Sequence, residues 1–399
     1  MYGSAHFGCV RCRSPTQLSD VKSGSTKQGN APLRVRVGQN YNARKTAQFG
    51  QSNAELITGP LTPFAGLNKR LDSFCFIGPG YDLIHTFNAV PILTKCPYVV
   101  TFEDFLPRTP NVYREIPGLE KYLVDRLLKP QCIAILAMSE FGLRQMQHQH
   151  RERPALAHLL AKSEVLYPGV QPTGSAPKSA GNELKLLFVG HDYYRKGGPA
   201  LVRAHKKLRS AGIPVQTTIV SSFNWANTDY VGPPDADGVK AAESELSAEG
   251  ISRHRSLSTD EVRCLMEQAD FLILPTFHDT FGYVVLEAMA VATPVIATAT
   301  CAQTEIIEPG RSGFLLEFDN DDIGQWSWFH GRKRYGYVEA YWSTIDRLAS
   351  ALAEQLQECW ETRSDYEALS AGALARIDSK FNADRTRKRL EEIYEMARH

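Results

Sequence analysis

Residues 271–298 read FLILPTFHDTFGYVVLEAMAVATPVIAT. The apolar run from Phe271 has strand length and stops at Pro275, a polar turn containing Gly282 follows, and a helical pattern starts near Phe281. Asp279 and Glu287 therefore stand beside a loop at a strand's carboxyl end, which is where open α/β sheets bind ligands. Residues 280–283 fall at the positive end of the following helix, where unpaired backbone N–H groups suit anionic or hydroxyl-rich ligands. Glu287 lies within about two turns of that end at ~3.6 residues per turn. A carboxylate accepts two hydrogen bonds from a vicinal diol, so the pair suits a sugar or a ribose. The same spacing also describes an acid favoured by a helix dipole and a Glu solvated on an outer face. On the residues alone both readings stand.

Size and composition set the frame. The chain has 399 residues, more than the roughly 250–300 at which single cores stop growing, so two domains are expected. Lys plus Arg number 45 against 44 Asp plus Glu, a net charge of +1, so no global field points to a nucleic-acid partner. No run approaches the ~18 apolar residues of a membrane span, and the first residues lack the apolar centre of a signal peptide. The eight Cys are scattered, as in a reduced, cytoplasmic protein. Cys9-Val-Arg-Cys12 is a lone pair in a polar segment, too little for a metal site. Residues 1–31 are rich in Ser, Gly, Gln and Thr and read as a disordered or loosely attached extension. Residues 1–50 hold eight Lys or Arg against Asp20 alone, a bias compatible with a solvated tail or with weak peripheral contact to an anionic membrane.

Strand-like runs at 33–40, 82–86, 98–102 and 134–138 alternate with helical stretches, one of which is expected to start at Ser139 as its N-cap. That alternation implies a parallel, doubly wound sheet. His85 ends the second run, where it is either a cleft residue or a packed, hydrogen-bonded core histidine. A second unit opens near Lys185 with LKLLFVG, then HDYYRKGGPALVRAHKKL, a loop feeding an amphipathic helix. Arg195 and Lys196 put two cations at that junction, as a nucleoside diphosphate would need or as two solvated bases would also look. Further along, 217–223 reads as a strand and 258–269 as a capped helix. Asp235-Ala-Asp237 follows no apolar strand and is not expected to bind metal. The stretch 326–342, WSWFHGRKRYGYVEAYW, mixes aromatics and cations, suited either to stacking on ligands or to packing an insertion. Residues 385–396 read as a terminal amphipathic helix.

The segment D-TFGYVVL-E-AMAVATPVIAT resembles the donor-site signature of retaining glycosyltransferases of the GT-B fold, family 4: Glu, seven residues, Glu, then Ala-Met-Ala and a Thr-Pro-Val strand. Asp279 stands where the family usually has Glu, and Ala292 where it usually has Gly; Asp keeps the charge with a shorter reach. FVGHDYYRKGG at 188–198 is similar to the family's diphosphate segment, with His191 in place of a frequent Arg. Thr101-Phe102-Glu103-Asp104 resembles its cleft segment, with Glu103 at the His position. CAQTEIIEPGRSGFLLE at 301–317 resembles its later cleft turn, and Phe49-Gly50 a thinned version of its glycine-rich loop.

The resemblance implies an α/β protein of GT-B fold, with two Rossmann-like doubly wound parallel-sheet domains facing a cleft. Residues 32–175 would hold the acceptor, 176–380 the nucleotide sugar, and 381–399 would form a helix crossing back. It implies transfer of a sugar from a nucleotide diphosphate donor to a hydroxyl of a carbohydrate, lipid-linked or small-molecule acceptor, with retention and with neither metal nor cofactor beyond that co-substrate. Arg195 and Lys196 would neutralise the diphosphate beside Gly190 and His191. Glu287 would hold the ribose, and Asp279 with the amides of Phe281, Gly282 and Tyr283 would grip the sugar, near Glu305. With Arg195, Lys196 and Asp279, Glu103 would be catalytic, binding acceptor hydroxyls or helping to steer a proton, and His85, Gly50, Arg44 and Lys45 would lie toward the acceptor. The competing reading is a noncatalytic sugar-nucleotide-binding or scaffold protein of the same fold.

Overall fold

The runs that are apolar on both faces become the centres of two parallel sheets. The computed structural model describes residues 31–38, 47–48, 54–59, 74–76, 80–108, 117–173, 176–223, 225, 231–233 and 235–398. The first sheet is built from β1 (Leu33–Val37), β2 (Ala54–Thr58), β4 (Leu83–Phe87), β6 (Tyr98–Phe102), β7 (Cys132–Ala137) and β8 (Ser163–Val165), in the order β2-β1-β4-β6-β7-β8. A small parallel pair, β3 (Phe74–Phe76) with β5 (Val90–Ile92), stands apart from it. The second sheet contains β9 (Leu184–Val189), β10 (Val215–Val220), β11 (Ile251–His254), β12 (Phe271–Leu274), β13 (Val295–Thr298) and β14 (Gly313–Leu316), in the order β11-β10-β9-β12-β13-β14. Every pairing is parallel, so helices must cover both faces. Strands β4, β6, β12 and β13 are buried at every residue as a result.

In both sheets the strand order reverses beside the first strand of the unit, so the loops after β9 and β12 leave the sheet at a switch point and meet there. Local chemistry sets the helix starts. Ser139 accepts from the Gly142 amide at 2.9 Å, and Ser258 forms a reciprocal capping box with Glu261. Asp235 caps the Ala236–Glu245 helix and accepts from Trp342 Nε1 at 2.9 Å, so its carboxylate serves the fold.

The Ala383–Glu395 helix follows the second sheet in sequence yet packs on the first. Asn382 bridges to Val170, Thr386 Oγ1 donates to the Tyr167 carbonyl, and Arg389 pairs with Glu164 at 3.0 Å. Tyr394 reaches furthest and meets His85 Nδ1 at 2.7 Å. Leu390, Ile393 and Tyr394 thus join one apolar cluster that includes Val35 of β1 and Leu272 of β12. Among the described residues no helix is long and apolar enough to cross a membrane.

The aromatic stretch after β14 packs inward. Trp326 and Tyr341 are buried against Phe277, with ring centroids 4.7 and 4.8 Å away, and Phe329 lies 4.4 Å from the His278 ring. These rings wall the loop that follows β12.

Candidate active site

One glycine lets the loops after β9 and β12 touch. Gly197 has φ 75°, and a Cβ there would lie 1.9 Å from the Pro275 carbonyl oxygen, so no other residue fits without moving one loop. The contact is closed by Phe277 N–H donating to the Arg195 carbonyl at 3.0 Å. Gly282 (φ 85°) starts the Tyr283–Met289 helix, and a Cβ there would strike Gln303 Nε2, which donates to the Phe281 carbonyl at 3.2 Å. Gly190, whose added Cβ would press Lys196 Cγ at 3.0 Å, completes the seat for the lysine.

The charges meet in this seat. Buried Lys196 and half-buried Asp279 form an ion pair. Burial weakens the lysine's hold on its proton, opposed by Asp279; burial would also raise the Asp279 carboxyl, but the Lys196 and Arg195 charges override it and hold it below the usual carboxylate range. Arg195 binds Asp192 through Nε at 3.1 Å and donates from Nη1 to the His278 carbonyl at 2.6 Å. Each of the two cations is thus already held by an acid or carbonyl of its own site. Burial, then Arg195, depresses the His278 imidazole to about 3, so it is neutral at pH 7, with Nδ1 3.4 Å from Cys301 Sγ.

Glu103, at the end of β6, reaches across to the same loop. Its carboxylate accepts from Thr280 Oγ1 at 3.1 Å, Arg108 Nη1 at 3.1 Å and Asn88 Nδ2 at 3.2 Å. Arg108 also pairs with Asp104 at 3.2 Å; burial pushes that buried acid up to about 6, against the pull of Arg108. Arg108, Asn88 and His278 were not singled out by the sequence, and Thr280 only for its backbone, because only the fold joins β6 to the loop after β12.

Glu287 and Tyr283 lie one turn apart on a different wall. With Gln48, Leu257, Arg263 and the chain at 169–173 they line a cavity of about 430 Å³, within the ~300–1,000 Å³ of small-ligand sites.

Two expected site residues are placed elsewhere. His85 is buried in the first sheet, its Nδ1 on Tyr394 OH and its Nε2 on Thr101 Oγ1, both at 2.7 Å; it is a packed core histidine and not an acceptor-side group. Glu305 is not aimed at a sugar: it accepts from the Glu140 and Phe141 amides at 2.7 and 2.6 Å and from Tyr167 OH at 3.0 Å, capping the Glu140–Gln149 helix of the first sheet. His191 is exposed and contributes its carbonyl to Ser222. Phe281 turns its ring into the core, leaving only backbone for the site. Gly50, Arg44 and Lys45 lie outside the described residues.

Residues 183–325 match the family model described as "Glycosyl transferases group 1". D-inositol 3-phosphate glycosyltransferase of Arthrobacter sp. (strain FB24) is 31% identical over 160 residues, 38% of this chain and 35% of that protein. Alpha-maltose-1-phosphate synthase of Mycobacterium tuberculosis is 28% identical over 251 residues, 58% of this chain and 61% of that one. The chain thus spans between about a third and three fifths of these curated relatives. A glycosyltransferase from Rickettsia africae ESF-5 superposes with a TM-score of 0.61 over 92% of this chain and 99% of that one, at 16% identity. This likeness, with the two parallel sheets, shows the GT-B fold expected from the sequence.

Proposed function

We propose that the protein is a glycosyltransferase that moves a sugar from a nucleotide diphosphate sugar to an acceptor hydroxyl, with retention and without a metal ion. One observation carries the reading: two cations and a carboxylate converge where the loops after β9 and β12 meet, at a switch point of a sheet whose residues 183–325 match the glycosyltransferase family. The nucleoside enters the cavity, its ribose hydroxyls on Glu287. The diphosphate competes with Asp192 and Asp279 for Arg195 and Lys196, which shields its charge and releases Asp279 to accept from the sugar's hydroxyls. As the bond from the anomeric carbon to phosphate breaks, charge grows on the departing oxygen and the same cations stabilise it. The acceptor hydroxyl attacks on that face and passes its proton to the departing oxygen, so configuration is kept. Glu103, held by Asn88 and Arg108, orients the acceptor.

A panel of nucleotide sugars in thermal-shift titration identifies the donor, since a ligand that binds only the native state raises its stability. Release of nucleoside diphosphate with that donor and a retained anomeric centre by NMR supports the enzyme. Donor binding without release would leave a scaffold, and EDTA-abolished transfer restored by Mg²⁺ would replace the metal-free step.

A further inference from the structure

The stretch 326–342 has an outer side that the cleft does not use. Residues 331–336 read GRKRYG and form a turn between Gly331 and Gly336 (φ 83°). The turn is built and not frayed: Arg334 N–H donates to the Gly331 carbonyl at 2.7 Å, and the Arg334 guanidinium lies 4.6 Å from the Trp328 ring centroid. Tyr335 stands at its tip, 103% exposed, flanked by exposed Lys333 and Arg334 and half-buried Arg332.

Contacts tie a second exposed aromatic to this turn. Trp225 donates to the Pro233 carbonyl at 2.8 Å, and the adjoining Gly232 N–H donates to Tyr337 OH at 3.2 Å. Val338, the next residue, is also exposed. Six large apolar or aromatic side chains are exposed among the described residues, and Trp225, Tyr335 and Val338 are three of them. Exposed apolar residues scattered singly need no explanation; Tyr335 and Val338 next to three cations, with Trp225 linked to the same segment through Pro233, Gly232 and Tyr337, do. The opposing charges on these elements are exposed Glu339 and Asp237 and half-buried Asp235, the last already held by Trp342.

We propose that this surface docks the protein on a bilayer containing anionic phospholipid. Tyr and Trp settle at the headgroup level of a membrane, and Lys and Arg are drawn to its negative surface within a Debye length. A single convex tip with a fully projecting aromatic matches a soft, planar interface, whereas a polyanion strand is held along a groove. Because the turn is already fixed by its own hydrogen bonds, little ordering is lost on docking. The same segment carries Trp326 and Phe329 against Phe277 and His278, so the docked turn is continuous with the wall of the Asp279 loop.

The test is sedimentation of the full chain with phosphatidylcholine vesicles, with and without phosphatidylglycerol. Binding should need phosphatidylglycerol and weaken with salt. It should fall at least about tenfold in the Arg332→Ser, Lys333→Ser, Arg334→Ser triple variant and also fall in Tyr335→Ser, where charge is unchanged. Urea midpoints close to the parent's establish that the variants fold. No binding to anionic vesicles overturns the proposal, as does undiminished binding by the triple variant, which would move the contact to another surface such as the basic residues 1–50. Equal binding to soluble polyphosphate, with Tyr335→Ser silent, would make the surface a polyanion site instead.

Discussion

Lys196 and Asp279 each answer for the other's charge. Removing one leaves the other partly or wholly buried and unpaired, which typically costs about 3–5 kcal/mol, whereas replacing both by apolar residues of similar volume is often nearly neutral. The single changes Lys196→Met and Asp279→Leu should therefore each lower the urea midpoint strongly, and the double change should be less harmful than their sum. Additive losses in that cycle would mean the pair is not coupled. For the same reason Ala variants confound binding with stability, and Asp279→Glu is the cleaner probe of function. It keeps the charge and should retain measurable turnover, while Asp279→Asn should lose at least the roughly 1.5–3 kcal/mol of a charge-assisted hydrogen bond in kcat/KM. Gly197→Ala, which drives a Cβ into the Pro275 carbonyl, should separate the two loops and reduce donor affinity in calorimetry.

At the level of elements, the interior strands were readable and the edges were not. Strands β4, β6, β12 and β13 are buried throughout, so their residues are mostly apolar, without a break in β12 (FLIL) and interrupted by His85 and Thr86 in β4. Edge strands β2, with AELIT, and β8, with only Ser163–Val165, carry mixed or short patterns that no periodicity separates from loop. Helix caps divide the same way. Ser139 and Ser258 cap their own helices from within three residues, which a sequence displays. Glu305 caps a helix that starts 165 residues earlier, so its motif suggested a ligand while its geometry is a joint between the sheets. Glu305→Ala should strip the acceptor from two amides and a phenol and cost about 2 kcal/mol, measured as a lower urea midpoint. Glu305→Gln, which retains one acceptor oxygen, should cost less.

The whole molecule carries a pH signature. His85 and His278 are held neutral by burial, to about 4 and about 3. Their contribution is complete above the unfolded value near 6.5 and is lost as pH falls below it, because the unfolded chain then binds protons that the fold refuses. Each removes about 1.4 kcal/mol per pH unit in that window. Asp104 works in the opposite sense: its acid is pushed up to about 6, so the fold gains as pH drops from 6 toward 3.8. Burial also lowers His150 and His205 and raises Asp270 and Glu305; with four histidines against three acids, stability should decline from pH 6.5 to 4.5. Urea midpoints across that range should fall, and fall less steeply in His85→Asn; an unchanged slope in that variant would remove His85 from the account.

The Ala383–Glu395 helix has a consequence for how the protein is made. Leu390, Ile393 and Tyr394 complete the packing of β1 and β4, yet they follow β8 by more than two hundred residues. At ~5–20 residues per second a ribosome needs on the order of 10–45 s to cover that gap. Throughout it, the first sheet leaves the tunnel with its own apolar seam open and His85 lacking its partner on Tyr394. The first sheet is thus the last to close, and its seam is the surface a chaperone would have to cover during translation.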